Sequence, residues 1–230
     1  LSEFFYAHSQ PIHLNTSSSG ADVLETVYSF PVLIRLDSNN FDFTQTREDG
    51  GDIYFSKNDG TPLPFEIEQW IEQFSLGVVW VLVDTLYGDR EQTMQMHWGN
   101  STIKSMSHPA KVFDTSNSFV SVWHLNEFSS NVNGEIGFMD ATDNAHHGRD
   151  YVSAGGQLGI IAYGQDFAGD KDHIDAGTII ISSNTTPSFT FSCWFNIDRY
   201  TQPELKSQWL MEFIDTASST TYYQLFTTNE

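Results

Sequence analysis

Apolar residues along this chain recur with period two or in short unbroken runs, and turn-forming residues separate the runs. Phe30-Pro31-Val32-Leu33-Ile34-Arg35-Leu36 predicts a strand with Pro31 at its start or on a sheet edge. Asp49-Gly50-Gly51-Asp52 is a turn, and Ile53-Tyr54-Phe55 resumes a strand. Asn58-Asp59-Gly60-Thr61 carries the Asp-Gly pair suited to a tight hairpin. Phe65-Glu66-Ile67-Glu68 alternates as a half-buried strand does. Val78-Val79-Trp80-Val81-Leu82-Val83 is continuously apolar, as expected of a central strand, and Met94 to Trp98 alternates again before Gly99-Asn100.

Residues 101–117 are polar and turn-rich, admit a helical turn around Pro109, and mark the expected domain boundary. Beyond them Val120 to Leu125 alternates as a strand. A long Ser-, Asn-, Gly- and Asp-rich loop is expected from about Asn126 to Tyr151. Gln165–Asp170 and His173–Asp175 read as short strand pieces around an acidic turn. Phe189 to Ile197 is the strongest strand pattern of this half, and Trp209–Phe213 and Tyr222–Thr227 are two more. No helical periodicity of useful length occurs. The expected fold class is therefore all-β, with two β-sandwich domains at residues 1–110 and 111–230.

Composition supports this reading. The 230 residues include 18 Phe, 9 Tyr and 6 Trp, enough bulk to fill β-sheet cores. Thirty acidic against ten basic residues give a net charge of −20. Such a surface repels nucleic acid and anionic membranes and attracts cations such as Ca²⁺. Cys193 lies among strand formers and is expected to be a buried thiol. A single cysteine excludes a disulfide within the chain. Asn15, Asn100 and Asn184 each open an Asn-x-Ser/Thr sequon, which matters only in a eukaryotic source. No signal peptide or membrane-spanning run is visible, and the start at Leu1 is that of a processed N-terminus or a fragment.

The succession Phe30–Leu36, Asp49–Phe55, Leu63–Trp70 and the Trp80 strand ending at Trp98-Gly99-Asn100 resembles an uncharacterised bacterial domain family over about residues 10–100. That family occurs in surface proteins and fused to MotA/TolQ/ExbB-type proton-channel proteins. The succession Val122-Trp123-His124-Leu125-Asn126-Glu127, Asp140 to Gly148, Asp166 to Asp175 and Phe189 to Phe195 resembles the N-terminal part of a concanavalin A-like (laminin G-like) jelly roll. The resemblance implies a second domain that is a partial jelly roll, of a kind that often binds sugars or proteins, sometimes with calcium. The later strands of that family are expected after Glu230, so the natural chain is expected to continue, or another chain to complete the strands or to self-associate. The resemblances together imply an extracytoplasmic, non-catalytic recognition or assembly module with a glycan or protein ligand. The rivals are a structural or sensory part of an ExbB/TolQ-like motor complex or surface filament, with a membrane proton-channel partner, and the accessory domains of a polysaccharide-degrading enzyme.

The candidate chemistry is sparse. Glu66 and Glu68 have the same-face spacing of a glycosidase carboxylate pair, but a solvated strand face has it too. No nucleophile elbow or phosphate loop occurs. Adjacent His146-His147 would point apart and do not form a zinc pair. Asp140 with Asp143 and Asn144 forms an oxygen-rich loop that could take calcium, or an Asx-turn that caps the loop. Trp70, at a strand end, is the expected exposed platform for a sugar. A catalytic site composed across both domains would draw on Glu66, Glu68, His97 and His124.

Overall fold

The computed structural model describes residues 5–128, 134–167, 171–179, 189–197, 207–215 and 220–228. It is all-β and built of antiparallel sheets. Two compact units are present, Leu1–Ser183 and Asn184–Glu230.

The first unit opens with two three-stranded sheets. One holds β2 (Val27–Leu36), β5 (Leu76–Leu86) and β4 (Phe65–Ile71) in the order β2-β5-β4. The other holds β1 (His8–Asn15), β6 (Glu91–Trp98) and β3 (Tyr54–Ser56) in the order β1-β6-β3. Their facing sides form a sandwich-like core. Leu14, Phe55, Met94, Met96 and Trp98 from one sheet pack with Ile34, Leu36, Phe65, Val79, Val81 and Val83 from the other. Burial of a side chain such as Phe55 or Phe65 contributes about 1.5–3 kcal/mol.

The central position of β5 explains its unbroken apolar run. Val79, Val81 and Val83 enter the core between the sheets, whereas Trp80 and Leu82 belong to a second apolar cluster. That cluster is completed by Val112 of the short helix α1 (Pro109–Val112), by Phe113 and Ala141, and by the half-buried Phe119 and Val122. A strand covered on both faces needs no polar side, so alternation disappears from its sequence.

Strand β4 departs from strict alternation. Ile67 pairs with Val79 and Gln69 with Val78, so Glu68 is the extra residue of a bulge. The bulge reverses the parity of everything after it. Trp70, which shares its parity in sequence with Glu66 and Glu68, therefore turns to the core side and pairs with Gly77. It packs there on Phe41 and Phe43 at ring separations of 5.8 and 4.9 Å. Gly50, at φ +63°, leaves room for the indole, since a Cβ there would lie 2.4 Å from the ring.

The second part of this unit differs from its sequence pattern. Residues 120–125 form no strand; only an isolated bridge joins Trp123 to Asp140. The expected loop from Asn126 to Tyr151 contains β7 (Ile136–Phe138) and β8 (Gly148–Tyr151). These join β11 (His173–Asp175) in the order β11-β8-β7, and β9 (Ala154–Leu158) forms a hairpin with β10 (Tyr163–Asp166). Residues 168–170 of the expected acidic turn lie outside the described residues.

In the second unit β12 (Ser207–Asp215) pairs with β13 (Thr220–Thr228). Phe189 to Ile197 is not a strand, contrary to its pattern. Cys193 is exposed rather than buried, as are Phe191, Trp194 and Phe195. Alternation supplies a face to bury, but a strand exists only within a ladder, and among the described residues the ladder of this unit is made by β12 and β13.

Candidate functional site

The side of β4 opposite the main core carries the most unusual chemistry of the molecule. Glu66 lies opposite Trp80 in the ladder, and the bulge brings Glu68 to the same indole. Trp80 Nε1 donates to Glu68 Oε2 at 2.6 Å. His124 inserts between the two glutamates. Its Nε2–H donates to Glu66 Oε2 at 3.0 Å, and its Nδ1 lies 3.4 Å from Glu68 Oε2. The imidazole stacks on Trp80 at 6.3 Å and meets the Phe113 ring at 5.6 Å.

The segment that delivers His124 is pinned by its backbone neighbours. Asn126 Nδ2 donates to the Glu68 carbonyl at 3.0 Å. Leu125 takes the left-handed conformation, φ 57°, a strained state for a branched side chain that lets His124 and Asn126 both reach β4. Gln165 Nε2 on β10 donates to the Leu125 carbonyl at 2.8 Å and also to that of Glu127. Glu127 Oε1 accepts from the Met139 amide at 2.8 Å, while its Oε2 is buried with no partner among the described residues.

Side-chain exposures are 9% for Glu66, 3% for Glu68 and 14% for His124, so the cluster is sealed. Burial raises the Glu68 carboxyl above its ordinary value, more than His124 and the Trp80 hydrogen bond lower it. For His124, burial disfavours the charged ring. The Glu66 hydrogen bond and the charges of Glu66, Glu68 and Glu127 outweigh that and leave its pKa raised. The arrangement holds an imidazole between two carboxyl groups, which favour its protonated form. Its contacts, with the Asn126 amide, tie the 119–127 segment to β4.

Of the four residues suspected of forming a composite site, Glu66, Glu68 and His124 converge and His97 does not. His97 sits on β6, where Ser56 Oγ and its Nε2 are 3.0 Å apart and the Tyr6 and Tyr54 rings flank it. Burial lowers its pKa. Ser56 is 2% exposed. No sequence pattern marks Glu127, Trp80, Asn126 or Gln165 as members of this cluster. The Trp123-to-Glu127 block was conspicuous, but no alternation or spacing ties it to β4.

The remaining expected site residues are placed otherwise. Trp70 is half-buried in the main core and is not an exposed sugar platform, because the Glu68 bulge turned it inward. Beside it a shallow groove of about 600 Å³ is floored by Phe41 and Phe43 and rimmed by Asp42, Thr44, Glu72 and Gln73. Asp140 is a turn hub. Its Oδ1 accepts from the Val122 and Thr142 amides, and its Oδ2 from Thr142 Oγ1 and the His146 amide, at 2.9–3.0 Å. Asp143 is exposed, and Asn144 Nδ2 donates to the Val120 carbonyl. Among the described residues no three His, Cys, Asp or Glu side chains are grouped to hold a metal ion, and no helix is long and apolar enough to cross a membrane.

The fold and this sealed cluster define an all-β protein with a buried imidazole–carboxylate seam. A sequence model of the family described as "Domain of unknown function (DUF2341)" matches residues 49–130, so the chain is similar to an uncharacterised domain family over that stretch. The stretch includes Glu66, Glu68, Trp80, His124, Asn126 and Glu127. It crosses the expected boundary after residue 110, which also lies inside the first compact unit. No curated protein and no solved structure matches the chain.

Proposed function

We propose that this chain is a non-catalytic extracytoplasmic recognition or assembly module that binds a glycan or protein. One observation carries the non-catalytic part. The acid–base groups that the fold gathers are turned inward and spent on one another, with Glu66, Glu68 and His124 sealed beneath Trp80 and Phe113. General acid–base catalysis needs a group within hydrogen-bond reach of a substrate proton, and these groups reach each other instead. The groove rimmed by Asp42 and Glu72 supports the binding part, since its carboxylates and hydroxyls can accept and donate to a polar ligand.

The test is incubation of the intact protein with β-glucans, agar, alginate and peptidoglycan, scored for retention and for new reducing ends. Retention on one polymer without cleavage is expected. Turnover that disappears in Glu68→Gln overturns the reading and returns the carboxylate pair to a catalytic role.

A further inference from the structure

We propose that the Glu66–His124–Glu68 cluster is a proton-controlled latch, which holds residues 119–127 on strand β4 while His124 is charged and releases them when it is neutral. The argument is geometric. His124 comes from a segment that, among the described residues, has no sheet ladder of its own and joins a neighbour strand-fashion through the Trp123–Asp140 bridge alone. Its attachment to β4 consists of the two His124–glutamate contacts and the Asn126 amide on the Glu68 carbonyl. The groups that face the imidazole are Glu66 and Glu68 from β4 and Glu127 from its own segment. Strand β5 presents Trp80 and the residue after α1 presents Phe113, neither of them charged, and Lys111 of α1 is exposed.

Removing the proton from His124 leaves three carboxylates gathered around a neutral ring in a nearly dry site. One of them, Glu127, already has a buried oxygen with no partner among the described residues. Like charges so placed repel strongly, because little water screens them. The raised pKa of His124 gives the sign. A proton bound more tightly in the docked state favours docking at low pH, and docking weakens as pH rises through the elevated value. Glu68 acts in the same direction, since its ionised form is the one that burial disfavours. The strained Leu125 between His124 and Asn126 gives the segment a means of relaxing once the clamp opens.

The latch is tested on the intact chain by amide exchange, read as protection factors so that the intrinsic pH dependence of exchange divides out. The His124 ring signal, followed by NMR, locates its titration. Protection of residues 119–127 is expected to fall about tenfold per pH unit through that titration, because one proton is linked to opening, while β5 and β6 keep theirs. Glu66→Gln should move the loss to lower pH, and His124→Gln should abolish its pH dependence. Should either variant fail to fold, the titration of the unaltered chain decides alone. Constant protection of 119–127 while the ring titrates overturns the proposal, as does simultaneous loss of protection throughout the first unit.

Discussion

The two faces of the β2-β5-β4 sheet are held by different forces. One face meets β1-β6-β3 through a continuous layer of Phe, Val, Ile, Leu and Met. The other meets α1 and the 119–127 segment through a small apolar cluster and a buried Glu–His–Glu arrangement. Hydrophobic burial is proportional to area, insensitive to pH and tolerant of small shifts. A buried ion cluster is directional, depends on proton occupancy, and loses much of its Coulomb gain to desolvation. The sheet thus joins a face that stabilises the molecule to a face whose attachment can be changed.

The comparison breaks first at the apolar face. Phe55 and Phe65 are buried against each other, with ring centroids 5.4 Å apart. Phe65→Ala should cost about 3–5 kcal/mol, from lost transfer energy and the cavity left behind. The loss should appear in urea unfolding as a lower midpoint with little change in slope and little pH dependence. A loss below about 1 kcal/mol would mean that the sandwich core is not what holds this unit together.

A smaller effect is expected on the polar face. Glu66→Ala removes the acceptor of His124 Nε2–H and leaves a buried donor unpaired, at a cost of about 1–3 kcal/mol. Unlike the core variant it should change the pH profile. In the unaltered chain the raised pKa of His124 contributes stability that is complete below the unfolded-state value and disappears as pH rises through the folded-state value. Losing the Glu66 hydrogen bond and charge shrinks that window. Stability against pH, measured for both proteins by denaturant unfolding, should converge at the alkaline end. Parallel curves would remove His124 as the titrating group.

These two faces were not equally legible. The apolar one was plain in Val78–Val83 and in the Met94–Trp98 alternation, because local patterns there agree with the ladder that forms. The Asn58-Asp59-Gly60-Thr61 turn, expected to close a hairpin, spans the isolated Ser56–Pro62 bridge, and the strands β3 and β4 on either side of it enter different sheets. Parity was lost where the backbone broke it. A single extra residue at Glu68 reversed Trp70, and nothing in Phe65-Glu66-Ile67-Glu68 announces a bulge. The Glu66/Glu68 pairing on one face was visible, but its partner lies 58 residues away on a segment whose alternation suggested a strand. His97 was grouped with them on residue type alone, and the ladder places it on β6. In the second unit, Phe189 to Ile197 has the composition of a strand without its ladder, and sequence periodicity cannot distinguish the two.

The smallest expected effect separates burial from pairing. Lys57 Nζ and Asp84 Oδ2 form an ion pair at 2.5 Å, with side-chain exposures of 38% and 56%. The hydrogen bond that Lys57 donates to Asp84 raises the Lys57 pKa, so the pair is formed by charge as the buried cluster is. Water surrounds it, however. Exposed pairs gain little, because solvent and salt screen the attraction and two long side chains must be ordered to make it. Asp84→Asn should therefore leave the thermal midpoint within measurement scatter at physiological salt, and should leave the pH profile of unfolding unchanged through the His124 titration. The Glu66→Ala profile measured beside it should differ. A clear loss of stability in Asp84→Asn would show that pairing alone, without burial, stabilises this protein, and the contrast between the sealed cluster and the open pair would no longer hold.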